Sequence, residues 1–380
     1  METIPQDRNR YVSPTAPAGM GMLIAGGGTG GHLFPGIAIA EEFRRRSPDH
    51  RVLFVGTQRG IEARLLPALG YPLRTLNLEG VKGRGLRNTL AAIQKIPGSL
   101  RDSFRILKEF QPAIVVGVGG YASGPAVLAA RILSIPTAIA EQNAYPGLTN
   151  RILGRFADRI FLAFAASQPW FSPTRSQVTG NPTRAAFGED SEKGRTDPRP
   201  RFTLLIFGGS QGAHALNRIV CEALPELAPL KDRLRFIHQT GEKDLGFVTE
   251  AYGQGGFTAE VSAFIMDMAS AYGEADLLIC RAGATSLAEI TAAGKASLLV
   301  PFPFAVSDHQ TKNAEVLSRA GAAEVYEEKE LHGLRLATAI TRLALDPQAV
   351  RKMETAAAAL GNRRAAVVIV DACLTLADKH

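Results

Sequence analysis

"IAGGGTGGHLFPGIAIAEEF", residues 24–43, places five glycines in six positions, follows them with His32, and runs on into an apolar helical pattern. Residues 26–31 satisfy G-x-G-x-x-G, a turn in which a strand passes into a helix whose first N–H groups face an oxyanion. The dinucleotide form of this turn also needs an acidic residue about 20 positions later, at the end of the next strand, to hold a ribose. Here that strand ends "VLFVGTQRG" (52–60) without an acid, and Asp49 lies before it. A Walker loop fails too, because His32 and Leu33 stand where Lys and Ser/Thr would be. What remains is an anion-binding turn with a histidine at the helix start. Such a histidine can simply cap the backbone. At the mouth of a cleft, with an unperturbed pKa of about 6.5, it can also take a proton from a hydroxyl.

The same device recurs downstream. "LLIFGGSQGAH" (204–214) is again a strand, a glycine turn and a helix start, and "GNPTRAAFGEDSEKGRTDPRPR" (180–201) between the two has the polar, Pro/Gly-rich character of a linker. Strands are expected over 22–25, 52–55, 114–118, 137–140 and 159–162. A second series follows at 203–207, 235–239, 259–264, 277–280 and 296–300. Helices are expected over 36–46, 216–227 and 287–293. Alternating strands and helices predict an α/β chain of two doubly wound, Rossmann-like domains with parallel sheets. Ligands of such sheets bind beyond the carboxyl ends of the strands, which makes the cleft between the domains the default site. At 380 residues and 46% hydrophobic content the chain can bury two such cores.

A net charge of +7 calls for an anionic partner. No RNP-like, zinc-finger or recognition-helix pattern favours nucleic acid. Three widely spaced cysteines fit a reducing compartment better than a disulfide scaffold. Residues 1–19 read as a disordered lead-in without an apolar signal core. The most apolar stretch, 113–130, is broken by four glycines and a proline before Ala130 and reads as strand, turn and helix rather than a membrane span.

Three further stretches carry chemistry. "GVGGYASGP" (117–125) is a third glycine turn. "AEQNAYPGLTNR" (140–151) puts Glu141 and Asn143 after a strand, where ordinary turn chemistry is the plainer reading. "CRAGATSLAEI" (280–290) contains Ser286-x-x-Glu289, expected to form a capping box, although a carboxylate at a cleft-facing helix start could also accept two ribose hydroxyls. No H-E-x-x-H and no Asp-x-Asp pair is present, so no metal and no cofactor is expected. Any diphosphate would be met by helix termini, hydroxyls and a cation such as Arg184.

Taken in order, "GGTGGHLFPG", "GGYASGP", "EQNAYPGLTN", "GNPTR", "GGSQGA", "FIMDM", "RAGATSLAEI" and "DHQTKNA" resemble the MurG family of peptidoglycan glycosyltransferases, from about Met22 into the last helix. The resemblance implies a GT-B fold: an acceptor domain over 20–183, a donor domain over 184–361, and a final helix within 362–380 crossing back. It implies inverting, metal-independent transfer from UDP-N-acetylglucosamine to the 4-hydroxyl of the muramyl sugar of undecaprenyl-diphospho-muramoylpentapeptide. By the same match, the Ile265 backbone would meet uracil and Glu289 the ribose. Ser210 and the turn Ala284, Thr285, Ser286, Leu287 and Ala288 would hold the donor diphosphate with Arg184. Thr29, Gly30, Gly31, Asn143 and Gln310 would contact the sugar. The acceptor diphosphate would lie on Gly28, Gly31, Gly119, Gly120, Ser123 and Gly124. His32 leads as general base, with Tyr121 and Glu141 as supporting catalytic groups; between His32 and Glu141 the assignment of the base stays open. Ala282 stands where many relatives carry Ser, so any contact from that hydroxyl is lost.

A lipid acceptor gives the basic charge a place. Residues 81–110 interleave Lys82, Arg84, Arg87, Lys95, Arg101, Arg105 and Lys108 with apolar residues at helical spacing. They read either as two surface helices with their apolar sides in the core or as a segment resting on an anionic leaflet. A peripheral location on the cytoplasmic face of the membrane follows from the resemblance. Three rivals differ in chemistry. A nicotinamide oxidoreductase lacks the ribose acid, a UDP-N-acetylglucosamine epimerase would turn over without acceptor, and a scaffold for cell-wall assembly would bind no nucleotide.

Overall fold

The structure is a computed structural model and describes residues 19–58, 60–78, 86–184, 187, 200–209, 212–305 and 308–379, with 86–96 as backbone only. Nearly all of the expected tail, much of the linker, Ser210, and Lys82 and Arg84 lie outside the described residues, as do the side chains of Arg87 and Lys95.

The first domain is a seven-stranded parallel sheet in the order β3-β2-β1-β4-β5-β6-β7. Its strands are β1 (Gly21–Ala25), β2 (Arg51–Thr57), β3 (Leu73–Leu76), β4 (Ile114–Gly117), β5 (Thr137–Glu141), β6 (Arg159–Leu162) and β7 (Ser176–Val178). Every pairing is parallel, and such sheets are covered by helices on both faces. In β1, Met22 and Ile24 enter one core layer while Leu23 and Ala25 enter the other. The second domain repeats the plan in a six-stranded parallel sheet, β10-β9-β8-β11-β12-β13. These strands are β8 (Phe202–Phe207), β9 (Leu234–Gln239), β10 (Thr258–Ser262), β11 (Leu277–Cys280), β12 (Ala296–Leu299) and β13 (Ala323–Val325). Leu204 and Ile206 face one layer, and Leu205 and Phe207 the other.

The expected strands at 159–162 and 277–280 have the observed bounds. Those missed, β3, β7 and β13, are strands of three or four residues, too short to show a period. Among the described residues of 81–110 there is one helix rather than two: α3 (Leu86–Phe110) runs unbroken through Pro97 and Gly98. Its last turns pack Ile106 and Leu107 under β1, β2 and β4, and this burial outweighs the proline's lost hydrogen bond.

Two helices matter for the site. In α1 (Gly30–Arg46), Thr29 is the N-cap in extended conformation, without a side-chain cap bond, and the helix carries Pro35 inside it. Proline has no N–H to return to the carbonyl four residues earlier, so the Gly31 carbonyl lacks its helical donor. After the second domain, α13 (Ala365–Ala377) packs on α1 and buries Ile369, Val370 and Cys373 in the first domain's core. Burial of Ile369 and Val370 contributes about 1.5–3 kcal/mol each to holding that crossing.

Candidate active site

The turn that opens the chain's first domain is organised from below by a residue that no sequence motif marks. Glu62, at the start of α2 (Glu62–Ala68), is wholly buried and accepts from the Gly28 N–H at 2.8 Å. It also accepts from the Thr57 N–H and hydroxyl, each at 2.8 Å. The Gly28 N–H is therefore taken by a carboxylate of the protein itself. The only signal for Glu62 is an acid shortly after the end of β2, which gives no hint that its carboxylate turns inward.

His32 stands in the first turn of α1 with its Nδ1 3.4 Å from Thr29 Oγ1. Its ring also bonds the Gly27 backbone. Burial lowers the His32 pKa below the usual 6.5, while the Gly27 bond and the Glu62 charge pull the other way. The ring packs on Gly119, where a Cβ would sit 2.7 Å from His32 Cδ2. Gly119 has φ +91° and accepts no side chain on either count. Its N–H lies 3.3 Å from Ser123 Oγ, and Ser123 is buried at the start of α4 (Ser123–Ile132). The first and third glycine turns thus meet around the imidazole. Tyr121 is 53% exposed at the rim of that turn.

Glu141 does not stand ready as a base. It is 2% exposed and accepts from the Asn143 N–H (2.9 Å), the Asn143 amide (3.2 Å), the Gly147 N–H (3.0 Å) and the Asn150 amide (2.9 Å). Burial raises its pKa against those four bonds. With its acceptor sites occupied, Glu141 shapes the loop 142–147. That loop reaches the other domain. Asn313 in α10 (His309–Arg319) accepts from the Ala144 N–H at 2.9 Å and donates to Asn143 Oδ1 at 3.2 Å.

On the donor side, α9 (Ala284–Ala293) has Gly283 as N-cap and no side-chain cap. The expected capping box is therefore absent. The helix starts before the position that box requires, which puts Ser286 in its first turn and Glu289 in its second. Glu289 is 7% exposed, receives the Tyr272 hydroxyl at 3.5 Å, and is pushed up to about 7 by burial, with Arg184 and Tyr272 opposing. Arg184 lies between the rings of Phe34 (5.1 Å) and Phe187 (5.2 Å), one from the first domain and one from the linker. Its Nε is buried without a hydrogen-bond partner among the described residues. Thr285 donates its hydroxyl to the Gly31 carbonyl at 3.1 Å, the acceptor that Pro35 leaves without a helical donor. Gln310 Oε1 accepts from the Phe302 N–H at 2.9 Å, so its amide meets the chain through oxygen and turns its amino end away from that bond. The Ile265 N–H donates to Gln239 Oε1 at 2.9 Å, which leaves the Ile265 carbonyl as the backbone group to meet a base.

The starts of α1 and α9 thus meet across the cleft, with His32 and the glycine turns on one side and Glu289, Arg184 and Thr285 on the other. Two Rossmann-like domains facing such a cleft make up the GT-B fold, and the family matches that follow make this chain a UDP-sugar glycosyltransferase of that fold. Residues 22–162 match the glycosyltransferase family 28 N-terminal domain, and 203–369 match its C-terminal domain. The chain belongs to the MurG family of these enzymes.

A relative from Syntrophus aciditrophicus, strain SB, is 57% identical over 93% of this chain and 98% of its own. One from Myxococcus xanthus, strain DK1622, is 49% identical over 94% and 93%. Both are UDP-N-acetylglucosamine–N-acetylmuramyl-(pentapeptide) pyrophosphoryl-undecaprenol N-acetylglucosamine transferases. The crystal structure of Acinetobacter baumannii MurG is 34% identical, covers 94% of this chain and 99% of its own, and superposes with a TM-score of 0.75. A UDP-GlcNAc 2-epimerase from Neisseria meningitidis, 14% identical with a TM-score of 0.66, shares the fold alone.

Proposed function

We propose that this protein transfers N-acetylglucosamine from UDP-N-acetylglucosamine to the 4-hydroxyl of the muramyl sugar of undecaprenyl-diphospho-muramoylpentapeptide, with inversion and without a metal. The observation that carries the reading is the juxtaposition of His32, in the first turn of α1, with the start of α9 across the cleft. His32, neutral at pH 7, takes the proton as the acceptor oxygen bonds to the anomeric carbon. The bond to the diphosphate oxygen breaks on the opposite face, and UDP leaves. The α9 N-terminus carries about half a positive charge, and with the Arg184 guanidinium it stabilises the departing diphosphate. Glu289 accepts the ribose hydroxyls and the Ile265 carbonyl receives the uracil N–H. Gln310, Asn143 and the turn Thr29 to Gly31 border the sugar. Domain closure through Thr285 and Asn313 excludes water and so limits donor hydrolysis. Acceptor-dependent UDP release, measured with a soluble lipid-acceptor analogue in excess EDTA, tests the proposal. Release at the same rate without acceptor would favour an epimerase or hydrolase, and loss in EDTA would refute metal independence.

The acceptor's lipid brings the membrane into the reading. No helix among the described residues is long and apolar enough to cross a bilayer. The first domain instead exposes Leu148 (70%), Ile152 (49%), Phe156 (44%) and Trp170 (42%) together with Arg155, with the half-buried Arg151 and Arg175 beside them. Arg151 stacks on Trp170 at 4.2 Å. Leu148 opens α5 (Leu148–Leu153) directly after the loop that Glu141 holds, so a surface resting there would bring headgroups close to the cleft. This patch, on the cytoplasmic face of the membrane, extends the role expected of residues 81–110. The double substitution Arg151→Glu and Arg155→Glu is expected to weaken binding to phosphatidylglycerol vesicles about 30-fold or more, at roughly 1 kcal/mol for each positive charge removed. Co-sedimentation that ignores both the lipid charge and the substitutions would exclude it.

A further inference from the structure

Gln239 ends β9, is 1% exposed, and belongs to none of the glycine turns. Its amide nevertheless joins two of the donor-side loops. Nε2 donates to the Gly209 carbonyl at 2.9 Å, within the turn that follows β8. Oε1 accepts from the Ile265 N–H at 2.9 Å, in the loop that follows β10. A single planar amide is thus used at both ends, between the segment assigned to the phosphates and the segment assigned to the base.

The surrounding backbone makes the bridge specific. Thr240, the next residue, donates its N–H to the Ser262 carbonyl at 2.9 Å, and Gly241 donates to the Ala263 carbonyl at 3.1 Å, so the ends of β9 and β10 advance together. On the other side, Gly212 lies so close that a Cβ there would be 1.9 Å from the Thr240 carbonyl oxygen. Gly212 therefore rests on the β9 end by bare backbone contact, and Gln239 supplies the side-chain hydrogen bond that reaches Gly209. A donor and an acceptor are both required, and the two ends of a carboxamide are the side-chain group that provides them at this length. Because Gln239 is buried, neither end of its amide can replace a lost partner with bulk water without cost.

We infer that Gln239 is a positioning residue that couples the two halves of the nucleotide site, holding the Gly209 turn in place for the diphosphate and leaving the Ile265 carbonyl, rather than its N–H, to face the base. The inference rests on the donor assignment proposed for the second domain and adds a specificity consequence. Full affinity for a nucleoside diphosphate needs both ends of the amide, whereas a bare nucleoside needs only the Ile265 end.

Two variants separate the ends. Gln239→Glu in its ionised form keeps an oxygen for the Ile265 N–H but has no donor for the Gly209 carbonyl, so its binding is read at pH 8 and above. Gln239→Met keeps the length and loses both bonds. Equilibrium binding of uridine, UMP and UDP to the full chain reads the result. The glutamate variant should bind uridine within about twofold of the parent and UDP about tenfold more weakly, the loss of one bond at a buried group. The methionine variant should weaken both. In turnover, KM for the donor should rise while kcat at saturating donor stays within about threefold, a split that general destabilisation would not produce. If both variants lower UDP and uridine affinity by the same factor, or leave the uridine-to-UDP ratio unchanged while lowering the unfolding temperature, the coupling is refuted. Tighter uridine binding by the methionine variant would mean that the side chain occupies the base subsite, and would refute it equally. A parent protein with no affinity for UDP would instead overturn the donor assignment itself.

Discussion

Replacing His32 by alanine is expected to lower kcat about 10²- to 10⁴-fold, the range for removal of a general base, while the Kd for UDP-N-acetylglucosamine stays within about twofold. The ring is half-buried and rests on Gly119 and near Thr29, not on the donor side of the cleft. Its removal opens little apolar space and should leave the fold intact. The sign of the pH dependence follows from its surroundings. Desolvation lowers the His32 pKa below 6.5, so the base is already neutral at pH 7. The acidic limb of kcat/KM should therefore fall only below the ordinary histidine range, and it should vanish in the variant. Stopped turnover assays over pH 5 to 8, with donor affinity from fluorescence titration, check both points. Equal losses of turnover and donor affinity would show that His32 binds rather than reacts.

The second large effect is expected at Glu289. Burial pushes its carboxyl from the usual 4.5 to about 7, with Arg184 and the Tyr272 hydroxyl opposing. An acidic group whose folded pKa is raised favours the folded state most when protonated. Its contribution is fully present below about pH 4.5 and is lost as pH rises through about 7. The burial penalty at pH 8 is on the order of 3 kcal/mol. Glu289→Gln should therefore stabilise the unliganded protein more at pH 8 than at pH 5, as read by thermal unfolding. Donor binding should move in the opposite direction. Two ribose hydroxyls donate to an anion better than to an amide, and hydrogen bonds to a charged group contribute about 1.5–3 kcal/mol. UDP affinity should then rise with pH between 6 and 8 in the parent and be about 10- to 100-fold weaker and nearly flat in the variant. A variant that is less stable at pH 8, or that binds UDP like the parent, would remove Glu289 from the ribose site.

Both predictions concern residues whose motifs are legible in the sequence, yet whose surroundings are not. His32 is visible because a histidine interrupts a glycine turn, and Glu289 because a carboxylate follows a helix start. That Glu141 turns inward to four donors has no such signal, since Asn143, Gly147 and Asn150 converge on it only once the loop has folded back. The Ser286-x-x-Glu289 spacing satisfies a capping box on paper. The chain instead enters α9 at Ala284, and that shift carries Glu289 to the buried side. Glu62 and Gln239 escape notice for the converse reason, because neither has a local pattern and each acts on backbone groups of other segments.

By itself the sequence determined the alternation of strands and helices, the repeated strand–glycine–helix device, and the linker between its two copies. These depend on short-range periodicity and on backbone conformations that only glycine adopts readily. The tertiary structure alone decided which polar groups are filled and which remain available. Pro35 strips the Gly31 carbonyl of its helical donor, but only domain closure brings Thr285 to it. Asn313 meets the Asn143 loop from 170 residues away, and α13 returns to α1 across the whole second domain. Such contacts carry no local signature, because the free energy that forms them comes from burying surfaces distant in sequence.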